Sequence, residues 1–259
     1  MNQAERRIYL INKLLDEQPR YKDLEIPEGE RDQKQLLRSL FNIRMPGKID
    51  SDFLSVQDEY LRTETTEKGI TDIADLSPVS EGIYLWQGDI TTLRCDAIVN
   101  AANKGMTGCY APCHGCIDNC IHTYAGIQLR LECAKLMKKQ GHDEETGKAK
   151  ITPAYNLPCK YVLHTVGPII YGYLRKKEED LLASCYRSCL ELAEENGVKS
   201  IAFCCISTGE FHFPNDKAAE IAVRTVKDYR KQANNEMEVI FNVFKAVDYE
   251  IYRKLLRAD

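Results

Sequence analysis

From Gly82 onward, short β-branched or aromatic runs alternate with amphipathic segments, and this alternation limits the fold more than any other feature of the chain. Residues 83–86, 96–100, 161–165, 201–206 and 239–243 read as strands. Helical spacing follows them. Leu181, Leu182, Cys185, Tyr186, Cys189, Leu190 and Ala193 make one apolar face, stopped by Asn196-Gly197. Pro214 stands where a helix can begin, with Ala218, Ile221, Ala222, Thr225 and Val226 behind it; Ile251, Leu255 and Leu256 mark a last helix. Strands and helices in this order predict an α/β sheet covered on both faces, with ligands taken at the carboxyl ends of the strands.

The first eighty residues follow a different pattern. Ile8, Leu10, Ile11, Leu14 and Leu15 form a helical stripe that ends before Pro19. A second stripe contains Leu36, Leu37, Leu40, Phe41 and Ile43, and a third Phe53, Leu54, Val56, Tyr60 and Leu61. No acid, base or nucleophile cluster occurs there. The expectation is a helical extension, residues 1–80, packed on a main domain of residues 81–259, with a cap that docks a partner or orients substrate as the alternative.

The most reactive chemistry lies in residues 109–119, where Cys109, Cys113, His114, Cys116 and Asp118 crowd a short loop behind Asn100-Ala101-Ala102-Asn103. Thiolates and a neutral imidazole at such spacings suit tetrahedral Zn²⁺, as a catalytic site with three protein ligands or a closed structural site with four. All eleven cysteines lie from Cys95 onward and their number is odd, which favours reduced thiols in a soluble cytoplasmic protein over a disulfide framework. A net charge of −4 points away from a general nucleic-acid surface, and no run predicts a membrane span or a signal peptide.

Other motifs follow the expected strands. Ser207-Thr208-Gly209-Glu210-Phe211 sits between a strand and the Pro214 helix, where backbone N–H groups and a helix dipole can hold an anion such as a diphosphate. There is no Walker-type Gly-Lys-Ser/Thr run, so a P-loop NTPase is not indicated. Asp89, just after a strand, can accept from an exocyclic amine or serve as an ordinary turn aspartate. On a helix His122 would share a face with Asp118, where helix capping or packing is the simpler role. His142 is expected in a solvated loop, and His164 as a hydrogen-bonded strand residue.

Together, Gly88-Asp89-Ile90-Thr91, Asn100-Ala101-Ala102-Asn103, Ile117-Asp118-Asn119-Cys120-Ile121-His122, His164-Thr165-Val166-Gly167-Pro168 and Ile206-Ser207-Thr208-Gly209 resemble a macrodomain, the ADP-ribose-binding module. The match runs in one order through nearly all of residues 82–259. It implies a three-layer α/β/α fold with a mixed central sheet. The Cys/His segment, inserted at about residues 104–117, resembles the zinc-containing macrodomain subfamily, whose members are protein-ADP-ribose hydrolases. By that resemblance Cys109, His114 and Cys116 hold one Zn²⁺ per chain, with Cys113 as the rival ligand and Cys120 as a spare thiol.

The resemblance also implies ligand roles. Asp89 and the Ile90 backbone read adenine with Phe244 near the ring; Ser207, Thr208, Gly209, Glu210 and Phe211 cradle the diphosphate; Asn103 and Phe211 meet the distal ribose; Asp118 activates water. The implied activity is zinc-dependent removal of mono-ADP-ribose from modified proteins, at carboxylate-linked or related ester bonds. A non-catalytic ADP-ribose reader with a structural zinc, or an O-acetyl-ADP-ribose deacetylase, would retain most of the same residues. For bacterial members the implied partners include a sirtuin-type ADP-ribosyltransferase and a lipoyl-carrier protein. Three departures from the family pattern stand out: His212 where glycine is usual, the carboxylate of Glu210 beside a diphosphate, and Ala154 in place of glycine.

Overall fold

The computed structural model describes residues 1–21, 23–233 and 236–257. Three helices come first: α1 (Gln3–Asp16), α2 (Glu30–Ile43) and α3 (Ser51–Lys68). Each of the predicted stripes lies on one of them. At the start of α1 the Asn2 side chain accepts from the Glu5 amide at 2.9 Å while the Glu5 carboxylate accepts from the Asn2 amide at 2.8 Å. Asp50 caps α3 through the Phe53 amide at 2.6 Å. The stripes meet in a separate apolar cluster that includes Leu10, Ile11, Leu37, Phe53 and Leu61. Ile127 joins it from the main domain, so the extension is docked through packed side chains as well as polar contacts.

The rest of the chain runs β1 (Thr71–Asp72), β2 (Ile83–Gln87), β3 (Leu93–Arg94), β4 (Ala97–Ala101), α4 (Ile117–Ala125), α5 (Ile127–Gln140), β5 (Ala149–Pro153), β6 (Tyr161–Thr165), α6 (Lys176–Glu195), β7 (Ser200–Phe203), α7 (Asn215–Ala233), β8 (Glu238–Val243) and α8 (Ala246–Arg257). Six strands form the main sheet in the order β2-β8-β7-β4-β6-β5, with β5 antiparallel to β6 and the other neighbours parallel. The short β1 and β3 pair parallel in a small sheet of their own. Helix α7 packs between α6 and α8, with α6 on β5 and β6 and α8 on β2 and β8, while α4 and α5 pack together against β4 and β5. This is the expected three-layer mixed α/β fold. The central strands β4, β6 and β7 are buried along almost their whole length, which accounts for their continuous apolar runs.

Several elements and boundaries differ from the sequence expectation. The strand expected over residues 201–206 pairs only through Phe203; Cys204, Cys205 and Ile206 leave the ladder for the loop that follows, although Cys204 and Ile206 stay buried. Helix α5 and strands β1, β3 and β5 were not anticipated. Strand β5 ends in Pro153 and pairs only with β6, an edge position where a missing N–H costs no ladder bond. Among the described residues no helix is long and apolar enough to cross a membrane.

Phe53, with no exposed surface, is the largest fully buried side chain of the extension's cluster. Phe53→Ala should destabilise the protein by about 3–5 kcal/mol in equilibrium denaturation. A loss below about 1 kcal/mol would show that the three helices do not share the folding unit of the sheet.

Candidate functional site

Because β2, β8, β7 and β4 are parallel neighbours, the segments leaving their carboxyl ends line one edge of the sheet. Asp89 follows β2, Phe244 follows β8, Ser207 follows β7 and Asn103 follows β4. With strands about 4.8 Å apart, the row from β2 to β4 spans about 14 Å. These four predicted residues therefore follow strand ends along one edge in a fixed lateral order.

At the β2 end Asp89 caps a 3-10 turn. Its Oδ1 accepts from the Thr91 amide at 3.0 Å and the Thr91 hydroxyl at 2.6 Å, so it is a turn aspartate. Its Oδ2 lies 3.7 Å from the Lys68 ammonium and retains room for a further donor, the side chain being 40% exposed. Ile90 is buried beside it. Phe244 is 76% exposed at the neighbouring strand end, an aromatic face with no packing requirement of its own.

After β7 the chain turns sharply. Ser207 and His212 both adopt left-handed backbone, with φ of 66° and 55°. That explains why glycine is the usual residue at the second position; histidine is among the side chains that tolerate this region best. Thr208 donates through its amide to Cys205 O, His212 to Gly209 O and Phe213 to Ser207 O. The amides of Gly209, Glu210 and Phe211 between them meet no acceptor among the described residues, and α7 begins just beyond, at Asn215. A run of free N–H groups before a helix N-terminus is a cradle for an anion. Gly167 is required against it, because a Cβ there would lie 2.0 Å from the Ser207 hydroxyl. Phe211 is half-buried, its carbonyl held by the Ile170 amide at 2.9 Å. The other departure, Ala154, is fully buried in the core.

Asp118 lies in the first turn of α4 and is 5% exposed. Its Oδ1 accepts from Asn100 Nδ2 at 2.8 Å and its Oδ2 from Asn103 Nδ2 at 3.1 Å. Burial pushes its carboxyl up to about 6, against the lowering pull of Asn100, Arg130 and Asn103. Behind it runs a polar chain through the core. Asn100 Nδ2 also faces His164 Nδ1 at 3.2 Å, and His164 Nε2 faces the Thr152 hydroxyl at 3.0 Å. An amide NH₂ only donates, so His164 accepts at Nδ1 and donates from Nε2. His164 is thus a hydrogen-bonded strand residue, as expected. His122 Nε2 stands 3.5 Å from Asp118 Oδ1, one helical turn away. Burial holds His122 well below its ordinary value, and both its ring nitrogens lack a hydrogen-bond partner.

The loop between β4 and α4 carries the metal-type donors. The donor atoms of Cys109, His114 and Cys116 all lie within 4.8 Å of one another, with Cys109 Sγ 3.7 Å from His114 Nδ1. Ligands around tetrahedral Zn²⁺, at about 2.3 Å for sulfur and 2.05 Å for nitrogen, stand about 3.5–3.8 Å apart. The three residues therefore fit the ion with little movement. Burial pushes the Cys116 thiol up, and a bound dication would reverse that by stabilising the thiolate. The rivals turn elsewhere: Cys113 Sγ lies 3.2 Å from the Ser39 hydroxyl and 3.4 Å from Gln35 O, and Cys120 Sγ lies 3.6 Å from Arg38. His114 Nε2, on the far side of its ring, points to Glu210 Oε1 at 3.6 Å. A second donor group, His122, Cys133 and His164, is wholly buried.

Helix α2 holds this loop in place. Arg38 donates to His114 O at 2.8 Å and Asn119 Oδ1 at 2.9 Å, and Asn42 Oδ1 accepts from the Cys113 amide at 2.9 Å. Arg130 donates to the carbonyls of Phe41, Asn42 and Arg44 at the end of α2, at 3.1, 2.7 and 2.7 Å. Sequence reasoning missed these residues. The one signal was Asn42, a polar side chain inside the apolar run 40–43 and 1% exposed in the fold.

This geometry has close relatives. The sequence pattern of the Macro domain matches residues 99–222. A Treponema medium protein named protein-ADP-ribose hydrolase is 60% identical over 99% of this chain and all of its own length. The chain belongs to the Macro domain family. A Staphylococcus aureus protein of the same name is 48% identical over 97% of this chain and 95% of that protein. Among solved structures, a Trypanosoma brucei macrodomain in complex with ADP-ribose matches at a TM-score of 0.66 and 30% identity, over 85% of this chain and 94% of that one. An Oceanobacillus iheyensis macrodomain matches at 0.64 and 34%, over 71% and 95%. In this macrodomain the N-terminal helix α2 reaches the loop of the metal-type donors.

Burial holds His164 at about 3, below the ordinary histidine value of 6.5, so the unfolded chain takes up that proton first. Its contribution is complete above pH 6.5 and is lost as the pH falls toward 3, with a slope of up to about 1.4 kcal/mol per pH unit. His164→Asn should therefore flatten the loss of stability between pH 6.5 and 4, measured by denaturation at each pH. An unchanged slope would place the proton uptake elsewhere.

Proposed function

We propose that this macrodomain is a zinc-dependent hydrolase that releases mono-ADP-ribose from modified proteins at carboxylate-linked esters. The full-length relatives named protein-ADP-ribose hydrolase support the hydrolytic activity. The observation that carries the reading is the meeting of a buried carboxylate, Asp118, with an open three-donor group at the edge that also bears the anion cradle. The family resemblance adds a sirtuin-type transferase that writes the mark and a lipoyl-carrier protein that bears it.

Each segment has a role in this reading. Asp89 Oδ2 and the Ile90 amide take the adenine edge, and the exposed Phe244 ring covers it. The free amides of Gly209, Glu210 and Phe211, with Ser207 and Thr208 shaping the turn, hold the diphosphate ahead of the α7 N-terminus. Phe211 flanks the distal ribose, and Asn103 holds one of its hydroxyls while keeping Asp118 oriented. Asp118 takes a proton from water as the water oxygen bonds to the anomeric carbon. The bond from that carbon to the protein's carboxylate oxygen breaks, and its electron pair leaves with the carboxylate. Proton transfer to a positioned group of this kind is worth about 10²–10⁴ in rate. Cys109, His114 and Cys116 would hold Zn²⁺, which when bound supplies a Lewis acid for charge developing at the distal ribose.

Three protein donors, where a structural site would have four, favour the enzyme over a reader stiffened by zinc. The test is release of labelled ADP-ribose from a mono-ADP-ribosylated protein. Asp118→Ala should slow it by about 10² or more. Label retained by the unaltered protein despite tight ADP-ribose binding would establish the reader instead. Metal analysis should find about one zinc per chain, lost in Cys109→Ala and Cys116→Ala; full retention in both variants would refute the donor set.

A further inference from the structure

Glu210 lies in the anion cradle, where a carboxylate is electrostatically misplaced: two residues that would hold a diphosphate through their amides flank it, and like charge there is unfavourable. Its side chain turns to the metal-type loop. Glu210 Oε1 stands 3.6 Å from His114 Nε2, while His114 Nδ1 faces Cys109 Sγ at 3.7 Å. We infer that Glu210 is a positioning residue for the metal group: its carboxylate, a small side-chain rotation from hydrogen-bond distance, takes the Nε2–H of His114 and so holds the imidazole with its Nδ1 lone pair toward Cys109 and Cys116. This rests on the zinc reading above.

The chemistry requires such a partner. An imidazole that ligates through Nδ1 carries its proton on Nε2, and a carboxylate there fixes both the tautomer and the ring plane. The backbone on the other side is already held, since Arg38 donates to the His114 carbonyl at 2.8 Å. Glu210 supplies the missing constraint on the ring. Stability is not its purpose. The pair is exposed, with side chains 36% and 70% accessible, and even a fully charged pair so exposed would contribute at most about 1 kcal/mol. The arrangement also joins the cradle to the metal loop, so the segment that would hold the diphosphate orients a ligand of the ion.

The test measures zinc affinity of the full chain by competition with a chromogenic chelator, in the unaltered protein, Glu210→Ala and Glu210→Gln. Glu210→Ala should bind zinc about 10–100-fold more weakly, and Glu210→Gln should fall between, because its amide oxygen still accepts. The melting temperature of the metal-free chain should be the same in all three. Zinc held as tightly by Glu210→Ala as by the unaltered protein would overturn the assignment while leaving the metal reading intact. An unaltered chain that takes up no zinc would overturn both. A lowered metal-free melting temperature in both variants, with unchanged zinc affinity, would make Glu210 a structural residue and likewise overturn the assignment.

Discussion

The hydrogen bond from Asn100 to Asp118 ties the central strand of the sheet to the first turn of α4, and the site is arranged around it. A carboxylate 5% exposed is costly unless its oxygens are satisfied. Here one oxygen is met by Asn100 on β4 and the other by Asn103 in the segment beyond it. The same Asn100 amide faces His164 on β6, which faces Thr152 on β5, so the register of three adjacent strands is expressed in one polar line ending at Asp118. The carboxylate is thus held at a strand end by the sheet itself, with a raised pKa that follows from its burial. A loop could not hold it so firmly.

The N-terminal helices act on the other side of that carboxylate. They form their own apolar cluster, and their polar contacts with the main domain fall in two groups: α2 meets residues 113–123 and Arg130, while Gln57 and Asp58 of α3 meet Ile127, Gln128 and Asn156. Gly108 allows the loop to pass His122 closely, since a Cβ there would lie 2.7 Å from the imidazole ring. Arg130 stacks on Tyr110, 4.3 Å from the ring centroid, while satisfying carbonyls at the end of α2. Beyond the packing expected of a helical extension, α2 is one wall of the loop that carries Cys109, His114 and Cys116. That wall also explains why Cys113, adjacent to His114 in sequence, lies outside the donor group. Its amide and its thiol are both engaged by α2.

Much of the sheet was legible because its strands are buried on both faces and leave unbroken apolar runs. Strand β6 matches its expected range, β4 is displaced by one residue, and β8 gains one at its start. Strand β7 was read too long because Cys204 and Ile206 remain buried after leaving the ladder, and burial is all that an apolar run reports. Strand β5 sits at the edge beside only one neighbour, and its half-exposed Lys150 and terminal Pro153 broke the pattern. At the site, motif order placed Asp89, Asn103 and Ser207 just after strands, where they are found. Arg38 and Arg130 were invisible and Asn42 was marked only by its polarity within an apolar run, since each acts on residues more than sixty positions away in the chain.

The amino-acid sequence by itself determined the α/β layering, the helical start, the family and the residue types gathered near the strand ends, because periodicity and motif order are local properties. Which thiols face one another, what Glu210 turns toward and what α2 supports were decided only by the tertiary structure. Those relations depend on where loops separated by tens of residues converge once the parallel strands are in register, and donor spacing along a chain does not specify the direction in which each side chain points.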